Sequence, residues 1–231
     1  MGPKISIIIP ILNEAEVISQ TLSALQPLRA RGHEVIVVDA GSKDASLMKS
    51  QPLADRVVQS PEGRSRQMNA GASIATGEIL LFLHADTFLP EGADHLIISR
   101  MKQDDRIWGH FDVRLSGNHP LFRIIEHLMN LRSRLTGIAT GDQGIFVRKE
   151  TFESTGGFPE IDLMEDISLS ILLKKYGHPL CLWQRVLASS RRWEKNGIFR
   201  TVLLMWYLRM AYFLGVDPHY LAGLYRRSRP A

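Results

Sequence analysis

Apolar and polar positions divide the chain into two halves with different rhythms. Residues 5–9 form an apolar run rich in β-branched side chains, which predicts a buried strand. Residues 14–28 place Val17, Ile18, Thr21, Leu22, Leu25 and Leu28 at helical spacing, with Asn13 as the N-cap. The alternation repeats: strand 34–38, short helix 43–50 with Asp44 as its cap, strand 56–59, helix 65–75, strand 78–83, helix 92–101. Such β-α-β-α order predicts an α/β fold, a central mostly parallel sheet flanked by helices.

Beyond residue 104 the order loosens. Residues 107–115 alternate as a strand, 120–134 form an amphipathic helix, and 143–148 read as a strand. Residues 167–176 read as a helix closed by Gly177 ahead of Pro179. Residues 197–215 are strongly apolar, but Arg200 and Arg209 interrupt them. That pattern predicts a helix lying in a bilayer interface or packed on the core, rather than a membrane span.

Composition narrows the class. With 231 residues, 45% apolar and 23% charged, the chain can build one sizeable core. A lone cysteine, Cys181, excludes an internal disulfide and a cysteine metal cluster, and suits a reducing cytoplasm. Met1 to Lys4 lead straight into a strand, which leaves no apolar leader. The net charge of +4 is concentrated late, in Arg185, Arg191, Arg192, Lys195, Arg200, Arg209, Arg226, Arg227 and Arg229. This bias points to phosphates or to an anionic membrane surface. Nucleic-acid signatures are missing from the sequence, so no nucleic acid is expected as a partner.

Candidate chemistry gathers where strands end. The apolar run 79–83 leads into His84, Ala85 and Asp86, and a carboxylate at the carboxyl end of such a strand sits where open α/β sheets bind ligands. There Asp86 could hold a divalent metal, Mg2+ or Mn2+, against a phosphate. His84 fits a supporting partner better than a ligand. The first strand ends in Pro10 and the following Asn13 and Glu14, and the second ends in Asp39; Asn13, Glu14 and Asp39 are placed to bond a ribose or base. Arg64 and Arg66, among small residues at a helix start, suit a diphosphate. Gly141, Asp142 and Gln143 suit a sugar or acceptor contact. Glu165 and Asp166 precede the helix at 167, where Asp166 could take a proton from an acceptor hydroxyl. Arg192 and Trp193 could close over a phosphate or a sugar face.

In order and spacing, the segments 7–14, 38–44, 83–86, 156–158 and 165–166 resemble the family 2 glycosyltransferases of the GT-A fold. The spellings of 64–72 and 84–87 resemble a small bacterial subgroup. The resemblance implies one GT-A-like domain over residues 1–231, with a basic, apolar helical segment from about 197. It implies inverting, metal-dependent transfer of a sugar from a nucleoside-diphosphate donor to a hydroxyl acceptor. Pro10, Asn13, Glu14 and Asp39 would bind the nucleoside, and Arg64, Asn69 and Ala85 the rest of the donor. Asp86 matches the last acid of the family's Asp-x-Asp motif, with His84 in the first acid's place; Asp166 matches the base. Ser189 stands where processive members have glutamine, which argues against a polymer synthase. The expected setting is cytoplasmic, at the inner face of the membrane if the acceptor is lipid-linked; the tail would touch the bilayer, pack on the core or form a homodimer contact. Two rival readings are nucleotidyl transfer to a sugar phosphate and non-catalytic binding of a nucleotide or lipid head group.

Overall fold

The computed structural model describes residues 2–227. Arg229 of the basic tail lies outside the described residues. Strand β1 (Ile5–Ile11) sits centrally between β2 (Glu34–Asp39) and β4 (Ile79–Phe82), with β3 (Arg56–Gln59) beyond β2; all three pairings are parallel. Both faces of β1 are covered, which is why it reads as an unbroken apolar run. Ile5, Ile7, Ile9 and Ile11 point into one core cluster, while Ile8 joins Val38, Leu80 and Phe82 in the cluster on the opposite face. Helix α1 (Ile18–Ala24) covers the first face through Ile18 and Leu22.

The helix expected over 14–28 is broken. It begins only at Ile18, and Pro27 opens a separate α2 (Gln26–Ala30) because its ring suits a first helical turn. The short helix α3 is confined to Ser46–Ser50. Helix α4 (Arg64–Ile74) lies on the second face at close range. A Cβ on Gly71 would meet Ile8 Cγ2 at 2.5 Å, so the absent side chain is what admits this approach.

The second half adds a differently wired sheet. After β5 (Thr87–Phe88) and α5 (Ala93–Gln103) come β6 (Trp108–Leu115), α6 (Pro120–Thr136), β7 (Ile145–Arg148), α7 (Lys149–Ser154), α8 (Glu165–Lys174) and β8 (Leu180–Ala188). The sheet runs β3-β2-β1-β4-β7-β6-β8-β5. Pairs β4–β7, β6–β7 and β5–β8 are antiparallel, and β6–β8 is parallel. The sheet is therefore parallel in its first half and mixed in its second. Neither β5 nor β8 was predicted. β8 carries the polar Gln184 and Arg185 and bulges against β6 between Phe111 and Asp112, which obscures its alternation.

Helices α9 (Arg191–Asn196), α10 (Ile198–Phe213) and α11 (Pro218–Arg227) end the described chain. The apolar tail resolves into a packed helix with two unlike faces. Leu208 and Ala211 of α10 join Leu221 and Ala222 of α11 against Leu163, Met164 and Ile167 at the start of α8. Among the described residues no helix is long and apolar enough to cross a membrane.

Candidate active site

The carboxyl ends of β1 and β4 open into a cleft of about 490 Å³, within the range of small-ligand sites. Pro10 and Glu14 line it from the end of β1, Arg64 and Gln67 from α4, and His84, Ala85 and Asp86 from the turn after β4. Asp142 and Glu165 form the side toward α8. Arg192 and Trp193, with Met205 and Tyr225, close the side built by the last three helices.

Two loops are stitched together under the cleft. Asn13 has a left-handed backbone, φ 55°, and does not cap a helix as expected. Its Oδ1 accepts from the Lys43 amide at 2.8 Å, and its own amide donates to Ser42 Oγ at 2.9 Å. The Glu14 amide donates to Ser46 Oγ at 2.7 Å and the Ala15 amide to Asp44 Oδ2 at 3.1 Å. Asp44 thus ties the loops together and, from one position ahead of the cap residue Ala45, also accepts from the Ser46 amide that opens α3 at 2.9 Å. Asp39 is buried, with its carboxylate accepting from the Gly41 and Ser42 amides and the Ser42 hydroxyl. It shapes the loop beside the cleft and is not among the lining side chains. Gln67, which sequence reading passed over, donates from Nε2 to both Ile11 O and Val38 O and so fixes the spacing of the ends of β1 and β2.

Negative charge collects at the end of β4. Asp86 has no hydrogen bond or ion pair among the described residues. Burial, and then the Asp86 charge, push the Glu14 carboxyl above its usual range, opposed by Arg191, whose Nη2 lies 3.5 Å from Glu14 Oε2. His84 Nδ1 lies 3.1 Å from Asp142 Oδ1. Burial works against the Asp142 charge, but the His84 bond and the nearby Arg64 and Arg192 charges prevail and hold its carboxyl low. His84 Nε2 is buried without a hydrogen-bond partner, pressed on Gly141, where a Cβ would meet it at 2.3 Å. His84 therefore pairs with Asp142 through Nδ1 and packs its Nε2 against the Gly141 backbone. No three acids, histidines or cysteines among the described residues converge as a metal cage. An unpaired carboxylate lining the cleft beside Glu14 nevertheless fits a Mg2+ or Mn2+ ion whose remaining ligands are phosphate oxygens and water.

Asp166 stands behind this wall, on the first turn of α8. Its Oδ2 accepts from the Gly141 amide at 2.8 Å and its Oδ1 from the Ile167 amide at 2.7 Å. Burial, then the Glu165 charge, raise its pKa from the usual 3.8 to about 6, although both amides and Arg64 favour the ionised form. Arg64 Nη1 reaches Glu165 Oε1 at 3.3 Å across 101 positions of sequence. Arg132, from α6, was not anticipated. Its Nε and Nη2 are buried without hydrogen-bond partners, and burial lowers its pKa while Asp166 and Asp142 act to raise it.

Two predicted contacts are turned away from the cleft. Asn69 engages its whole amide with the Phe158 backbone, donating to O at 2.8 Å and accepting from N at 2.9 Å. Gln143 is fully buried in a 3₁₀ turn (Gly141–Gln143), where it closes a capping box with Thr140 and donates to Ser133 Oγ at 2.9 Å. Asn69, Gln143 and Asp39 each satisfy buried backbone or side-chain groups of the framework, and none of the three lines the cleft. Arg192 does meet the cleft, with its guanidinium 3.7 Å above the Tyr225 ring and a hydrogen bond to that hydroxyl. Tyr225 and Met205 escaped sequence reading because only tertiary packing returns them to the sheet.

Residues 6–156 match the profile described as Glycosyl transferase family 2. The chain belongs to that family. It is similar to the PGL/p-HBAD biosynthesis glycosyltransferase of Mycobacterium bovis, 34% identical over 125 residues, which cover 49% of this chain and 48% of the relative. The chain spans about half the length of the curated relatives it matches. Its fold is similar to mannosyltransferase PcManGT from Pyrobaculum calidifontis in complex with GDP-Man and Mn2+, with TM-score 0.66, 24% identity, and coverage of 97% of this chain and 65% of that one. It is also similar to TarS 1–349 of S. aureus in complex with UDP-GlcNAc, with TM-score 0.65, 20% identity, and coverage of 80% and 58%. These neighbours establish the GT-A fold.

Proposed function

We propose that this chain transfers a sugar from a nucleoside-diphosphate donor to a hydroxyl acceptor, with inversion and with a divalent metal. The observation that carries the reading is Asp86: an unpaired carboxylate at the end of β4, lining the same cleft as Arg64. Asp86 and donor oxygens would hold Mg2+ or Mn2+, which supplies charge neutralisation at the leaving diphosphate. Arg64 adds a fixed cation on the same cleft. Asp166 takes the acceptor proton as the hydroxyl oxygen bonds to the anomeric carbon and the bond to the diphosphate breaks. A pKa near 6 suits that task, since the group is ionised at neutral pH and still basic. Binding of GDP-Man by one structural neighbour and UDP-GlcNAc by another supports a nucleotide-sugar donor and leaves two bases to test. The loop after β1 has no glycine-rich phosphate cradle, so nucleotidyl transfer is not favoured.

The deciding experiment is thermal unfolding against GDP-mannose and UDP-GlcNAc, with and without Mn2+. A donor that binds only the folded chain raises Tm by mass action, and Mn2+ should enlarge the rise. Asp86→Asn should erase the Mn2+ increment and lower turnover by about a hundredfold or more. A full Mn2+ increment in that variant would remove Asp86 from the metal site.

A further inference from the structure

The outer face of α10 has no partner among the described residues. Phe199, Leu203, Trp206, Tyr207, Met210 and Phe213 are between 57% and 71% exposed. At 3.6 residues per turn these six side chains fall within an arc of about 120°. The opposite side of the helix is buried through Thr201, Leu208 and Ala211. Arg200 and Arg209 border the apolar arc, one on each edge, where long basic side chains can bury their stems and keep their charge in water. Between Lys195 and Arg227 the sole carboxylate is Asp217, against Lys195, Arg200, Arg209, Arg226 and Arg227. A contiguous aromatic and aliphatic stripe of this size is unusual on a surface meant only for water.

We infer that the outer face of α10 docks on an anionic bilayer surface, with the helix lying in the head-group region. Charge selects this occupant. A second copy of the chain would bring the same excess of arginines against itself, whereas anionic head groups neutralise them. The geometry also gives docking a consequence. Thr201 and Met205, on the opposite, inward side of the same helix, line the cleft, as do Ala222 and Tyr225 of α11. Docking therefore holds the cleft one helix width, about 10 Å, from the membrane surface, on the side where the hydroxyl of an amphiphilic acceptor would have to reach past α10. That consequence rests on the transferase reading; the docking itself does not.

Co-sedimentation with phosphatidylglycerol–phosphatidylcholine vesicles tests it, with vesicles of phosphatidylcholine alone as the comparison. The full chain should pellet with the anionic vesicles at low salt and bind about tenfold or more weakly to neutral ones. The triple variant Phe199→Glu, Leu203→Glu, Met210→Glu should lose binding by at least about tenfold and keep its circular dichroism, because all three side chains already face solvent. Trp206 should be quenched by brominated lipid, and Trp206→Phe should remove that quenching. Failure to pellet with anionic vesicles would overturn the inference. So would unchanged binding by the triple variant, or a lipid-free dimer that the variant abolishes while vesicles bind neither form. Nucleotide-sugar thermal shifts on the same preparations read the cleft separately, so failure of docking and failure of the transferase reading remain distinguishable.

Discussion

Asp166 holds its proton more tightly than a carboxyl in water because burial, and then the Glu165 charge, oppose its ionised form. If it is the base, kcat/KM should rise with pH through an apparent pKa of about 6 and level off above it. Asp166→Asn should flatten that limb, lower turnover by about a hundredfold or more, and leave nucleotide-sugar affinity close to that of the parent. Loss of donor affinity alongside turnover would mean that the carboxylate only anchors the Gly141 turn. Stability carries an independent signature. Between 3.8 and about 6 the folded chain retains this proton and the unfolded chain does not. The stabilisation is therefore complete below 3.8 and is lost as pH rises through about 6. The Asn variant should lack that decline in urea titrations across this pH window.

At the scale of elements, the side chains that looked like ligand contacts divide by what their backbone neighbours demand. Asn69 joins α4 to the loop ahead of α8, replacing water at the Phe158 N–H and C=O. Asn69→Ala leaves both groups without their partner and should cost about 1–3 kcal/mol in urea unfolding. A stability change near zero, with weakened donor binding instead, would return Asn69 to the diphosphate site. The same logic places Asn13, Ser42, Asp44 and Ser46 in a lattice between two loops, where short polar side chains replace the missing backbone partners of an irregular segment.

For the whole molecule, the issue is whether the last helices fold with the sheet. Leu208 is fully buried in the cluster that fastens α10 and α11 to the start of α8. Leu208→Ala should cost about 2–4 kcal/mol, with far-ultraviolet circular dichroism and tryptophan fluorescence still reporting one transition. Two separated transitions would mean that the cleft wall carrying Met205 and Tyr225 melts apart from the body. Detachment of that wall would open the cleft on one side, so donor-induced stabilisation of the variant should shrink in parallel.

The first half of the architecture was open to sequence reading. β1, β2 and β4 are buried on both faces, so their runs had to be apolar throughout, and each ends in polar residues where the backbone leaves the sheet. Local chemistry thereby fixed where Pro10, Glu14, Arg64 and Asp86 would stand, and these line the cleft together. The hydrogen-bond partners of Asp39, Asn69 and Gln143 were not legible, because an amide or carboxylate can face a ligand or a buried backbone group, and only the fold decides what lies within hydrogen-bond reach. β8 was hidden by its polar positions and its bulge, Arg132 because nothing in the local pattern of α6 turns it toward Asp142 and Asp166, and Tyr225 by its distance along the chain from Arg192. Hydrophobic periodicity, being local, determined the elements and the ends at which chemistry collects. Partners brought together across a hundred or more positions, as Arg64 is with Glu165, were decided by packing alone, since nothing in a local pattern records which surfaces will meet.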